Sequence, residues 1–165
     1  RNDVVTDLFA LQAFEDSERI SVYLSTENEI NTENIVKQIF DANKKCYVPH
    51  YNRQIMEMVK LNDMKDWETL PLTKWQIKQP ALSEDRENAL DTGGLDLIIL
   101  PGVAFTKDGK RLGHGKGYYD KFQSDLFNKQ KARPTTIAIA FKEQILNDIP
   151  TNEFDVNLDM VLYPD

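Results

Sequence analysis

Leu95-Asp-Leu-Ile-Ile-Leu-Pro-Gly102 is the segment on which the fold turns. Its apolar run covers only residues 97–100, between Gly93-Gly94 on one side and Pro101-Gly102 on the other. So short a run between turn formers reads as a strand buried on both faces, and such strands belong in sheets covered by helices on both sides. Downstream, Thr135-Thr-Ile-Ala-Ile-Ala-Phe141 and the shorter Met160-Val-Leu-Tyr163 read as further strands. Upstream, Arg19-Ile-Ser-Val-Tyr-Leu-Ser25 and Cys46-Tyr-Val48 do the same, the second stopped by Pro49. Met56-Glu-Met-Val-Lys-Leu61 is expected as a strand exposed on one side. Helices are predicted between these runs. Val4, Val5, Leu8, Leu11 and Phe14 have helical spacing, as do Ile35, Val36, Ile39 and Phe40 behind the N-cap candidate Thr32, while Tyr119, Phe122 and Leu126 mark a third buried face. The alternation defines an α/β protein with a largely parallel sheet.

The chain has 165 residues, enough for one domain (1–165) that buries roughly 70% of its unfolded surface. Hydrophobic residues at 41% and charged residues at 28% exclude a disordered or fibrous chain. A net charge of −7 argues against nucleic-acid binding. No apolar run is long enough to span a membrane. Cys46 is the only cysteine, so no intrachain disulfide forms, a cytoplasmic setting is favoured, and a small buried core residue is its expected role. His50 has no visible metal partner, and no Cys/His spacing resembles a zinc site. Residues 63–91 are irregular yet carry Trp67 and Trp75, the pattern of a functional loop rather than of disorder.

Chemistry concentrates in Arg111-Leu-Gly-His-Gly-Lys-Gly-Tyr-Tyr-Asp120. Gly113, Gly115 and Gly117 let the backbone turn sharply ahead of a helix, where successive N–H groups can cradle a phosphate. Residues 107–121 carry five Lys or Arg against two Asp, a local balance of +3 inside an acidic chain. The Walker loop does not fit, because Lys116 is followed by Gly117 rather than Ser or Thr. The dinucleotide fingerprint fails as well, because Tyr118 stands where glycine is needed. On the residues alone, a phosphate cradle and a solvated glycine turn both remain open.

Leu100-Pro-Gly-Val-Ala-Phe105 followed by Gly109-Lys-Arg-Leu-Gly-His-Gly-Lys-Gly-Tyr-Tyr-Asp120 closely resembles the signature of the 5-formyltetrahydrofolate cyclo-ligases, also called methenyltetrahydrofolate synthetases. The likeness runs from about Arg19 to Tyr163 and includes Leu24-Ser-Thr-Glu-Asn-Glu29, Thr92-Gly-Gly-Leu-Asp-Leu97 and Ala140-Phe-Lys-Glu-Gln144. It implies a three-layer α/β/α, Rossmann-like and CoA-transferase-like fold. It also implies a cytoplasmic ligase of folate and one-carbon metabolism that converts 5-formyltetrahydrofolate to 5,10-methenyltetrahydrofolate with ATP and Mg²⁺, releasing ADP and phosphate. The alternative is a non-catalytic folate- or nucleotide-binding module of the same fold. A monomer is expected.

The resemblance assigns residues 111–119 (Arg111, Leu112, Gly113, His114, Gly115, Lys116, Gly117, Tyr118 and Tyr119) to ATP. Lys116 and Arg111 become the candidates for neutralising charge during phosphoryl transfer. Leu24 and Glu29 fall at folate-contact positions, and a carboxylate such as Glu29 can accept from a pterin's ring nitrogens and amino group. His114, Gly115, Lys116, Gly117 and Tyr118 also lie toward the folate; Tyr51 and Trp75 either wall its rings or pack in the core. Asp120 and Asp155 are the expected Mg²⁺ ligands. Family members begin with a further basic helix that no residue before Arg19 matches, so the chain is expected to lack it.

Overall fold

The computed structural model describes residues 3–52, 55–74, 76–81, 83–153 and 155–165. In chain order the elements are α1 (Val4–Phe9), α2 (Gln12–Asp16), β1 (Arg19–Val22), α3 (Glu33–Asp41), β2 (Lys45–Asn52), β3 (Ile55–Leu61) and α4 (Met64–Glu68). There follow β4 (Leu97–Leu100), β5 (Ala104–Phe105), β6 (Arg111–Leu112), α5 (Tyr118–Lys129), β7 (Thr135–Ile139) and β8 (Met160–Leu162).

β4 is buried at every position, as its composition demands. It lies between β1 and β7 in a sheet ordered β3-β2-β1-β4-β7-β8, parallel throughout except for the antiparallel edge strand β3. Leu97 and Ile99 face a core layer with Ile20, Val22 and Ile137, covered by Ile35, Val36 and Ile39 of α3 and by Val4 and Leu8 of α1. Ile98 and Leu100 face the opposite layer with Ala138 and Phe105, covered by Tyr119, Phe122 and Leu126 of α5. Each such aliphatic side chain contributes roughly 1.5–3 kcal/mol by leaving water. The result is the three-layer arrangement expected from the alternating pattern.

Three details differ from the sequence reading, the first being α4, a short helix capped by Asp63 inside the stretch expected to be irregular. Residues 4–14 form two short helices rather than one, because Leu11 takes an extended backbone (φ −73°, ψ 140°) and starts α2, folding Phe14 back to 5.2 Å from the Phe9 ring. Pro49 does not stop β2, which continues to Asn52. The parallel ladder with β1 ends at Ser21–Tyr47, so beyond Tyr47 one side of β2 has no partner strand, which is where a strand accommodates proline. On its other side Pro49 still pairs with Met58.

The chain moves from β1 out to β2 and β3, then returns to the other side of β1 as β4 and continues outward through β7 and β8. At such a reversal a crevice opens beyond the carboxyl ends of the two central strands, here β1 and β4.

Candidate active site

That crevice holds a cavity of about 620 Å³. Tyr23 and Leu24 line it just after β1, Pro49 and Tyr51 from β2, and Pro101 just after β4. Residues 111–120 form a long wall, and Pro150, Asn152 and Asp155 close it from the C-terminal third. Leu24, Glu29, Tyr51, Arg111, Leu112, Gly113, His114, Gly115, Lys116, Gly117, Tyr118, Tyr119, Asp120 and Asp155 therefore share one cavity. Trp75 lies outside the described residues.

Glu29 is held by a tight turn. Its N–H donates to the Thr26 carbonyl at 3.2 Å, and its Oε1 accepts the Thr26 N–H at 2.9 Å. The Tyr23 hydroxyl anchors the same loop by donating to the Ile30 carbonyl at 2.9 Å. Tyr51 presents its phenol to the cavity with its ring edge-on to Tyr118, centroids 5.0 Å apart. Burial, reinforced by the charge of Glu29, pushes the Tyr51 hydroxyl up to about 12. It is thus a neutral phenol at physiological pH, fit to donate a hydrogen bond and unfit to act as a base.

The glycine loop follows a small hairpin in which β5 and β6 pair Phe105 with Arg111. Gly115 (φ 94°) and Gly117 (φ 71°) adopt left-handed backbone in open space, so conformation rather than packing calls for glycine there. Gly117 caps α5, and among the described residues the N–H groups of residues 113–117 have no backbone acceptor. His114 and Lys116 are exposed at the cavity mouth.

Arg111 is the half-buried cation of the site. Its Nε donates to the Pro101 carbonyl at 2.6 Å, and its guanidinium carbon sits 5.1 Å from the centroid of the Tyr119 ring. Among the described residues no carboxylate comes within ion-pair distance of it. Burial pulls its pKa down, yet a guanidinium remains charged in a protein.

Asp120, in the first turn of α5, accepts the Val156 N–H at 3.2 Å. Burial raises its pKa, the charge of Asp155 adds to the rise, and the Val156 N–H and Arg111 oppose it. Asp155 accepts the Asn152 N–H at 2.8 Å. Two carboxylates on one cavity, one of them destabilised as an anion by burial and by the other's charge, suit a small hard cation. Among the described residues no cluster of three or more His, Cys, Asp or Glu could cage an ion unaided. A Mg²⁺ ion would therefore draw its remaining ligands from water and phosphate, which is its usual habit.

The sequence reading missed Thr73, Ile77, Lys78 and Gln79, which also line the cavity. Its only signal was the long irregular stretch that contains them. Tyr23, Thr26 and Asn152 were missed although each is close in sequence to an assigned residue.

Fold and site together define an α/β protein with a glycine loop ahead of α5 at the reversal point of its sheet. The profile of the 5-formyltetrahydrofolate cyclo-ligase family matches residues 1–164. The mouse 5-formyltetrahydrofolate cyclo-ligase is 48% identical over 160 residues, covering 96% of this chain and 79% of that one. A probable 5-formyltetrahydrofolate cyclo-ligase of Caenorhabditis elegans is 41% identical, covering 91% and 74%. The chain belongs to the 5-formyltetrahydrofolate cyclo-ligase family, a family of ligases. The solved structure of Aquifex aeolicus 5,10-methenyltetrahydrofolate synthetase shares the fold, with a TM-score of 0.71, 23% identity, and coverage of 97% of this chain and 75% of that one. Among the described residues, no helix is long and apolar enough to cross a membrane.

Proposed function

We propose that this chain converts 5-formyltetrahydrofolate to 5,10-methenyltetrahydrofolate, consuming ATP with Mg²⁺ and releasing ADP and phosphate. The observation that carries this reading is the single cavity shared by Glu29, Tyr51, the glycine loop, Arg111, Asp120 and Asp155. An acceptor for a pterin and a cradle for phosphates would otherwise have no reason to face one another.

The reaction needs the formyl oxygen turned into a leaving group. That oxygen attacks the γ-phosphorus of ATP and ADP departs; N10 then attacks the activated formyl carbon, and phosphate leaves as the ring closes. Phosphoryl transfer of this kind asks for positioning and charge neutralisation, not for a protein nucleophile. Glu29 would accept from the pterin with Oε2, because Oε1 already holds the Thr26 N–H. The neutral Tyr51 phenol would donate a hydrogen bond to the substrate. N–H groups of residues 113–117 would bind phosphate oxygens, with Arg111 and Lys116 supplying positive charge to the transferring group. Asp120 and Asp155 would hold Mg²⁺, which neutralises phosphate charge when bound.

Incubating the protein with 5-formyltetrahydrofolate, Mg²⁺ and ATP while recording absorbance in the methenyl-folate band tests the reading. An ATP-dependent rise is expected. A flat trace from the full-length protein, with 5-formyltetrahydrofolate still binding in calorimetry, would leave a binding module instead.

A further inference from the structure

Arginines withdrawn from solvent are ordinarily paired. Arg111 is held by a carbonyl and a ring: Nε donates to Pro101, and the guanidinium lies 5.1 Å from the centroid of the Tyr119 ring. A third constraint is Gly113, where an added Cβ would approach both terminal guanidinium nitrogens to 3.3 Å. The ring itself is firmly placed. Tyr119 is 5% exposed within the core layer under α5, and its backbone carbonyl accepts the Gln123 side-chain amide at 3.2 Å. Its hydroxyl lies near enough to Tyr51 to ease that phenol's ionisation but makes no well-formed hydrogen bond. What the fold holds in place is thus the aromatic face rather than the polar tip.

We propose that Tyr119 is the positioning residue for Arg111: its ring, standing where a carboxylate would ordinarily stand, fixes the guanidinium in the cavity wall without cancelling its charge. A carboxylate would orient the group equally well but leave no net charge for a ligand. A ring face attracts the cation through its quadrupole, most strongly when water is excluded, and contributes no negative charge of its own. In its functional part this inference rests on the reading above, that an anionic phosphate group meets Arg111.

Two measurements on the full chain test it. The first needs no ligand. In nitrogen–proton NMR spectra the Arg111 Hε, bonded to Pro101 and next to a guanidinium carbon 5.1 Å from the ring centroid, should exchange slowly and feel the ring current. Tyr119→Phe should preserve its shift and exchange rate, and Tyr119→Leu should move the shift and speed the exchange. The second is ATP binding by calorimetry. Tyr119→Phe should stay within twofold of wild type, and Tyr119→Leu should bind about tenfold more weakly, the scale of a desolvated cation–π contact. In an Arg111→Ala background the leucine substitution should add less than twofold. An unmoved Hε in Tyr119→Leu, a tenfold loss that persists without Arg111, or equal losses for Phe and Leu would overturn the proposal. If Tyr119→Leu does not fold, Tyr119→Met gives the same contrast with a side chain closer in volume. A wild-type protein that bound no ATP would sink the proposed function, and the Hε measurement would still decide the positioning.

Discussion

Arg86 and Arg111 are both withdrawn from solvent, and the molecule treats them in opposite ways. Arg86, beside the outer edge of the sheet, grips Asp66 through two bonds of 2.7 and 2.9 Å, donates to the Lys60 carbonyl at 2.9 Å and lies 2.8 Å from Glu84. Those bonds hold Asp66 below the usual carboxylate range and push Arg86 up. Arg111, at the reversal point of the sheet, has its carbonyl and its ring and no acidic partner among the described residues. One charge is cancelled inside the fold; the other is oriented and left available. The difference separates a cation that holds structure together from one that the proposed function gives to a phosphate.

The sharpest way to break that contrast is to remove each cation. Arg111→Ala and Lys116→Ala should each lower turnover about 10²–10³-fold, as when a preorganised charge is taken from a transition state. Lys116→Ala should melt near wild type because the side chain is exposed, and Arg111→Ala should lose only about 1 kcal/mol with its bond to the Pro101 carbonyl, since among the described residues neither group holds a carboxylate in an ion pair. Arg86→Ala should do the reverse, with turnover unchanged at 20 °C and stability reduced by about 2 kcal/mol as Asp66 and Glu84 lose their partner. For a chain of this size that is a fall of roughly 4–8 °C in melting temperature. A large activity loss in Arg86→Ala well below its melting point would erase the distinction.

The pH dependence of the two regions should differ as well. The depressed Asp66 carboxyl adds stability above the titration of an unfolded aspartate, near about 3.9, and that stability is lost as pH falls through its lower folded value. Denaturation midpoints of wild type and Asp66→Asn should accordingly converge in strong acid and separate towards neutrality. Asp120 titrates the other way, its carboxyl raised by burial. Protons should therefore compete with Mg²⁺ at a higher pH than at an ordinary aspartate. Asp120→Asn should raise the Mg²⁺ concentration for half-maximal activity about tenfold and abolish that acid limb; an unchanged Mg²⁺ titration would remove Asp120 from the ligand set.

The smallest expected effect lies in the loop itself. Gly115→Ala meets no neighbouring atom, so only its left-handed backbone resists the change, at a cost of about 1 kcal/mol. Thermal unfolding with and without ATP would show whether that strain is felt mainly in the bound state.

What could be read in advance follows from how locally each feature is encoded. The run in β4, the strand at residues 135–139 and the glycines before α5 announce themselves within a few residues, so the sheet and the sharply turning glycine loop were legible. The reach of β2 past Pro49 was not, because it depends on where the neighbouring ladder ends. The β5–β6 hairpin has two residues per strand, too few to show a period. Thr73, Ile77, Lys78 and Gln79 show no periodicity, and only the tertiary fold brings them to the cavity. Arg111 and Tyr119 were both named, but their stacking across the loop is a product of three dimensions.

The cavity walls come from Tyr23, Leu24, Thr26 and Glu29, from Pro49 and Tyr51, from Thr73 and residues 77–79, from Pro101 and residues 111–120, and from Pro150, Asn152 and Asp155, so the cavity gathers segments from both halves of the chain. A nascent polypeptide still short of Asp155 lacks one wall. Ligand can thus bind tightly only to a finished fold, and by mass action a concentration one hundred times Kd would stabilise that fold by about 2.7 kcal/mol. Substrate supply would then govern how long the protein survives proteases as well as how fast it works, and a tight competitive inhibitor would raise its cellular abundance while silencing it.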